Sequence, residues 1–118
     1  MKKSEINKLD DIWRDKVKER VNYKCEYGVD CSGRVNAHHI FGRRSFSVRW
    51  NLNNGACLCA KHHTFDSKFS AHQTPTIFTD WIKEKRGEDW YNDLVFRHNQ
   101  IYKGDYEEVL KSLNEKLI

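Results

Sequence analysis

With 118 residues, 38% of them hydrophobic and 32% charged, the chain has room for one domain and a thin apolar supply for its core, which favours stapling by a metal or by disulfides. No apolar run reaches membrane-spanning length, and the opening MKKSEINKLDDIW has no secretory pattern; a cytoplasmic chain with no membrane partner is therefore expected, its four cysteines reduced and open to metal rather than paired. The net charge of +4 is uneven: residues 1–75 hold 14 Lys/Arg against 8 Asp/Glu, and the stretch from Cys31 to Phe65 has no acidic residue but carries Arg34, Arg43, Arg44, Arg49 and Lys61, a distribution suited to a polyanionic partner.

In chain order, Ile6, Leu9, Ile12, Trp13, Val17 and Val21 recur at helical spacing and predict a helix over Ser4–Tyr23 with Ser4 as its cap. Tyr27–Asn36 is rich in turn residues. Val35–Phe41 and Ala56–Cys59 are short enough and apolar enough for strands, with a polar loop over Asn51–Gly55 between them, and a helix is expected from Ala60 to about Phe69. Thr74 as cap, Pro75 at the first helical position and Gly87 at the end bracket a further helix, and Asp89–His98 and Tyr106–Leu117 complete the set. Asp105 and Glu108 form a capping-box pattern at the start of the last one. Trp81, Trp90 and Tyr91 fall on amphipathic patterns and are expected in the core.

Cys25 and Cys31 are six positions apart in a Gly-containing loop; Cys59 and His62 form a Cys-x-x-His pair at a strand-to-helix junction. Two such pairs from distant segments make the closed, four-coordinate set of a structural zinc, so Cys25, Cys31, Cys59 and His62 are the predicted ligands and Cys57 a small buried hydrophobe. The alternatives are inert buried thiols or a disulfide framework.

Two histidine pairs remain to be explained, His38-His39 and His62-His63. His39 precedes Asn54 by 15 residues and Asn54 precedes His63 by 9. Together with Leu58-Cys59-x-x-His62-His63 and the GRR that follows the first pair, this spacing resembles the HNH family of nucleases over roughly residues 25–70. The resemblance implies an α+β fold with a ββα-metal (His-Me finger) core, a zinc knuckle and flanking helices. It also implies a metal-dependent DNA endonuclease or nickase leaving 5′-phosphate and 3′-hydroxyl ends. By resemblance His39 is the general base, suited to it because histidine titrates near neutrality. His38 and His63 hold a catalytic divalent ion (Mg²⁺, Mn²⁺, Ni²⁺ or Zn²⁺), and Asn54 positions the His39 segment. Some relatives carry a third metal histidine four residues after the last motif histidine; here that position is Ser67, so Asp66, Ser67 or water is expected to complete the sphere. Arg43, Arg44 and Arg49 are the candidate phosphate contacts, and His72 and His98 are expected to be ordinary surface or core histidines. The resemblance extends to phage-encoded HNH proteins, some of which work with packaging machinery, so DNA and phage packaging proteins are the partners it implies. The alternative function is a zinc-stabilised, catalytically silent nucleic-acid-binding module.

Overall fold

The structure is a computed structural model and describes residues 1–102 and 104–115. Helix α1 spans Lys3–Glu19 and is followed by a long loop, strand β1 (Val35–His39), a second loop with a 3-10 turn at Leu52–Asn54, and strand β2 (Gly55–Cys59). A single π turn, Lys61–Phe65, precedes helices α2 (Pro75–Arg86), α3 (Glu88–His98) and α4 (Tyr106–Glu115). The architecture is α+β: one two-stranded antiparallel sheet, in which Val35 faces Cys59 and His39 faces Gly55, set among helices. No helix among the described residues is long and apolar enough to cross a membrane.

Strand β2 is buried along its whole length, and its two faces organise two cores. Successive side chains of a strand point to opposite sides. Cys57 therefore joins Leu9, Trp13 and Val17 of α1, Trp50, Leu52 and Leu113 of α4. Ala56 and Leu58 join Phe69, Ala71, and Phe78 and Ile82 of α2, with Trp81 and Trp90 packed at the edge. Helix α1 approaches the sheet closely because residue 55 is glycine: a Cβ there would come within 2.5 Å of Val17 and 2.9 Å of Trp13.

Several boundaries differ from the sequence expectation, each for a local reason. Ser4 is not the cap of α1; the helix begins after Lys2, whose backbone N–H donates to the Glu5 carboxylate at 2.8 Å. The helix stops before Tyr23 because Asn22 and Tyr23 take left-handed backbone angles (φ 53° and 58°), with the Tyr23 N–H returning to the Lys18 carbonyl. Strand β1 ends at His39, short of Phe41. The helix expected over Ala60–Phe69 is reduced to the π turn, because the carbonyls that would continue it are taken: His62 O accepts from Ala71 N–H at 2.9 Å and His63 O from His72 N–H at 3.0 Å. Thr74 precedes α2 as expected and Pro75 opens it, but the Thr74 hydroxyl turns back to Ser70, accepting from its N–H and donating to its carbonyl, both at 2.9 Å. Asp105 does cap α4, accepting from the Glu108 N–H at 2.9 Å; the expected end of that helix, Leu117, lies outside the described residues.

Candidate metal centres

The first cluster is formed by Cys25, Cys31, Cys59 and His62, the set expected for zinc, and it could hold a metal ion. The loop after α1 carries the first two ligands, the last residue of β2 the third and the π turn the fourth. Their sulfurs lie 3.7, 3.8 and 3.2 Å from the same atom, His62 Nδ1. Ligands on a tetrahedral zinc are separated by roughly 3.6 Å when one is sulfur and the other nitrogen, so the cluster has the right size without rearrangement. His62 and Cys59 are buried while Cys31 is exposed, so the site sits at the edge of the second core, with the Tyr27 ring edge-on against His62. Although Cys31 is exposed at the surface, desolvation of its sulfur within the cluster, and then the neighbouring Cys25, push its thiol up to about 11; a metal must displace that proton to bind. Cys57 faces the other core, as expected of a small hydrophobe, and its burial likewise keeps it a thiol, pushed up to about 11.

The second cluster comprises His38, His63 and His72. Their ring centroids are 5.2 Å (His38–His63), 5.2 Å (His38–His72) and 4.6 Å (His63–His72) apart, and the Nε2 atoms of His63 and His72 are 3.1 Å apart. His72 was expected to be an ordinary histidine, and the third position was expected to fall to Asp66, Ser67 or water. The backbone bonds that cut the helix short deliver His72 instead. Residues 71 and 72 run back alongside the π turn, and Gln73 Nε2 fixes the return by donating to the carbonyls of Thr64 (2.8 Å) and Phe65 (3.0 Å). The signal available in the sequence was the Ser70-x-x-x-Thr74-Pro75 bracket around His72, which makes a turn before α2. Burial pushes His38 down to about 3, with the His63 and His72 rings adding to it, and also lowers His63. The His38 and His63 imidazoles are therefore neutral near pH 7, with lone pairs free for a metal.

His39 lies next to this cluster but points to the other side of β1. Its ring stacks on Trp13 of α1 at 3.8 Å and 8°, whereas His38 meets Phe78 of α2. Neighbouring strand residues that face opposite ways can still share a site at a strand end, and both line one cleft of about 350 Å³ with Arg14, Ala37, Gly42, Arg43, His63 and His72. His39 Nε2 is 3.0 Å from the Arg49 carbonyl; since a carbonyl only accepts, the neutral ring carries its proton on Nε2 and its lone pair on Nδ1. Burial pushes His39 down to about 4, against the opposing pull of the Arg49 carbonyl and Asp10.

Asn54 is fully buried. Its side-chain amide pairs with both backbone groups of Phe41, accepting from N–H at 2.7 Å and donating to C=O at 2.9 Å, while its own carbonyl accepts from Ile40 N–H. It thus extends the sheet past the end of β1 and fixes the two residues after His39. Arg43 and Arg44 are exposed. Arg49 differs from the expectation of an open phosphate contact: its guanidinium is held by Asp10 (3.1 and 2.8 Å) and by the Arg43 carbonyl (3.1 Å). His98 is satisfied elsewhere, stacked on Phe41 and 2.6 Å from Ser45 Oγ.

Compared with known proteins, the chain matches no family model, no curated protein and no solved structure, and the chemistry of the cleft rests on its own residues.

Proposed function

We propose that the chain is a metal-dependent endonuclease of the HNH type, acting on DNA, with Cys25, Cys31, Cys59 and His62 holding a structural zinc and the β1–β2–π-turn unit serving as a ββα-metal core. One observation carries this reading. The cleft joins the imidazoles of His38, His63 and His72 to a fourth, His39, and its remaining charged walls are Arg43 and Arg14, the latter paired with Asp11, with no carboxylate among the lining residues. A divalent ion on His38, His63 and His72 would keep its full charge there, so an anion is needed to complete the site, and a phosphodiester supplies it. When bound, that ion supplies Lewis-acid stabilisation of charge on the phosphate and the leaving 3′ oxygen.

The remaining chemistry belongs to the chain. His39 Nδ1 takes a proton from water, the water oxygen bonds to phosphorus, and the bond from phosphorus to the 3′ oxygen breaks. The products are a 5′-phosphate and a 3′-hydroxyl, the latter protonated by solvent. Arg43 and Arg44 bind flanking phosphates, and Asn54 holds the His39 segment in register. An all-imidazole set favours Ni²⁺ or Zn²⁺, with Mn²⁺ bound more weakly, over Mg²⁺, which prefers oxygen ligands. Incubating wild type and His39→Ala with supercoiled plasmid across these metals tests the reading. Nicking by wild type alone supports it; salt-dependent binding of the plasmid with no cutting by either protein replaces it with the catalytically silent, zinc-stabilised binding module.

A further inference from the structure

Helix α1 lies outside the segment that carries the metal ligands, yet two of its buried residues, one helical turn apart, reach the His39 ring by separate routes. Asp10 is 5% exposed. Its carboxylate accepts from Arg49 Nε (3.1 Å), from an Arg49 terminal nitrogen (2.8 Å) and from Trp50 Nε1 (2.8 Å). Those three bonds lock residues 49 and 50 against the helix. The carbonyl of the same Arg49 accepts from His39 Nε2, and another guanidinium nitrogen of Arg49 donates to the carbonyl of Arg43 on the cleft wall. Trp13 supplies the second route: its indole stacks flat on His39 while its Nε1 donates to Asn51 O at 2.9 Å.

We infer that Asp10 is a positioning residue that acts through Arg49 to hold His39 in its Nε2–H tautomer, leaving Nδ1 as the proton acceptor, while Trp13 sets the plane of the ring. The inference rests on the reading of His39 as the base and adds what makes it one. A histidine in the wrong tautomer presents an N–H where a lone pair is required, and loses its function with no change in what it touches. A carboxylate one residue further from the reaction fixes that choice by immobilising the acceptor of the other nitrogen, the same arrangement by which outer partners orient functional histidines. The buried position of the pair serves this purpose: a solvated Arg49 backbone would exchange His39 for water as its donor.

The test pairs a spectroscopic readout with a kinetic one. In wild type at neutral pH, ¹⁵N chemical shifts of His39 should show Nε2 protonated and Nδ1 unprotonated; an Nδ1–H ring in wild type overturns the inference without any variant being made. In Asp10→Asn, which keeps the shape but loses the charge that holds Arg49, the shifts should move toward a mixture of tautomers. Its plasmid-nicking kcat should fall about 10–100-fold, the usual cost of removing an outer partner, with KM for DNA within about threefold of wild type. Wild-type shifts and wild-type kcat in folded Asp10→Asn would reject it. If wild type itself does not cut, the nuclease reading fails, and the tautomer shifts alone decide whether Asp10 positions the ring.

Discussion

Individual residues place the two histidine pairs in three different settings. His62 turns Nδ1 toward three cysteine sulfurs, His38 and His63 converge with His72, and His39 turns away onto Trp13. His39→Ala should therefore leave both metal clusters intact and lower cleavage by about 10²–10⁴-fold, the range expected of a positioned base. His72→Ala should do the reverse: weaken Mn²⁺ binding measured by titration while the zinc content stays at one per chain. A second consequence concerns pH. Burial alone would raise the Asp10 carboxyl, but hydrogen bonds from Arg49 and Trp50 and the Arg49 charge outweigh it and hold Asp10 below the ordinary carboxylate value. A group depressed in the folded state stabilises above its unfolded pKa, near ~3.9, and loses that contribution as pH falls through the folded value. Asp10→Asn should thus cost roughly 3 kcal/mol at pH 7, as for a buried pair left with one partner, and the gap from wild type in urea unfolding should narrow below about pH 4. A gap that stays constant down to pH 3 would mean that the Asp10 charge does not stabilise the fold.

At the scale of elements, the close approach of α1 to β2 is a testable packing claim. Gly55→Ala places a methyl group inside the contact distance of Val17 and Trp13. It should destabilise by about 1–3 kcal/mol, the usual cost of overpacking, and should disturb the Trp13 stack under His39. The Cys/His cluster and the strand pair were legible in the sequence because they depend on local spacing: Cys-x-x-His, a short apolar run, a turn-rich stretch. The helices α2 and α3 were legible from Pro75, Gly87 and amphipathic period. What could not be read was everything that a distant hydrogen bond decides. Ala60–Phe69 has acceptable helical composition, and only the return of Ala71 and His72 onto the carbonyls of His62 and His63 stops it. The same pairing makes His72 a member of the second cluster, so one unseen pair of distant backbone bonds accounts for both differences. The ion pair of Arg49 was not legible for a similar reason, since its partner Asp10 lies 39 positions away on α1.

For the whole molecule, the two candidate centres have different charge and should respond differently to treatment. Three thiolates and one imidazole over-neutralise a divalent ion, whereas three imidazoles leave its charge intact. The first belongs to folding: Cys59→Ser should release zinc, detected by metal analysis, and lower the melting temperature sharply, because binding free energy at such a site is folding free energy. If the second serves an anionic substrate, as proposed, the exposed Arg43 and Arg44 would extend the grip on it. Replacing both by alanine should reduce the slope of log K against log salt for duplex DNA by up to about 2; an unchanged slope would remove them from the interface. The account as a whole stands on the cleft as a site of phosphodiester hydrolysis, and plasmid nicking tests it most directly, with wild type, His39→Ala and His72→Ala assayed in parallel under a titration of Mn²⁺. Hydrolysis in this cleft should give nicked product from wild type, next to none from His39→Ala at any Mn²⁺ concentration, and activity from His72→Ala that is recovered in part as Mn²⁺ rises. Cleavage by His39→Ala at the wild-type rate would contradict it.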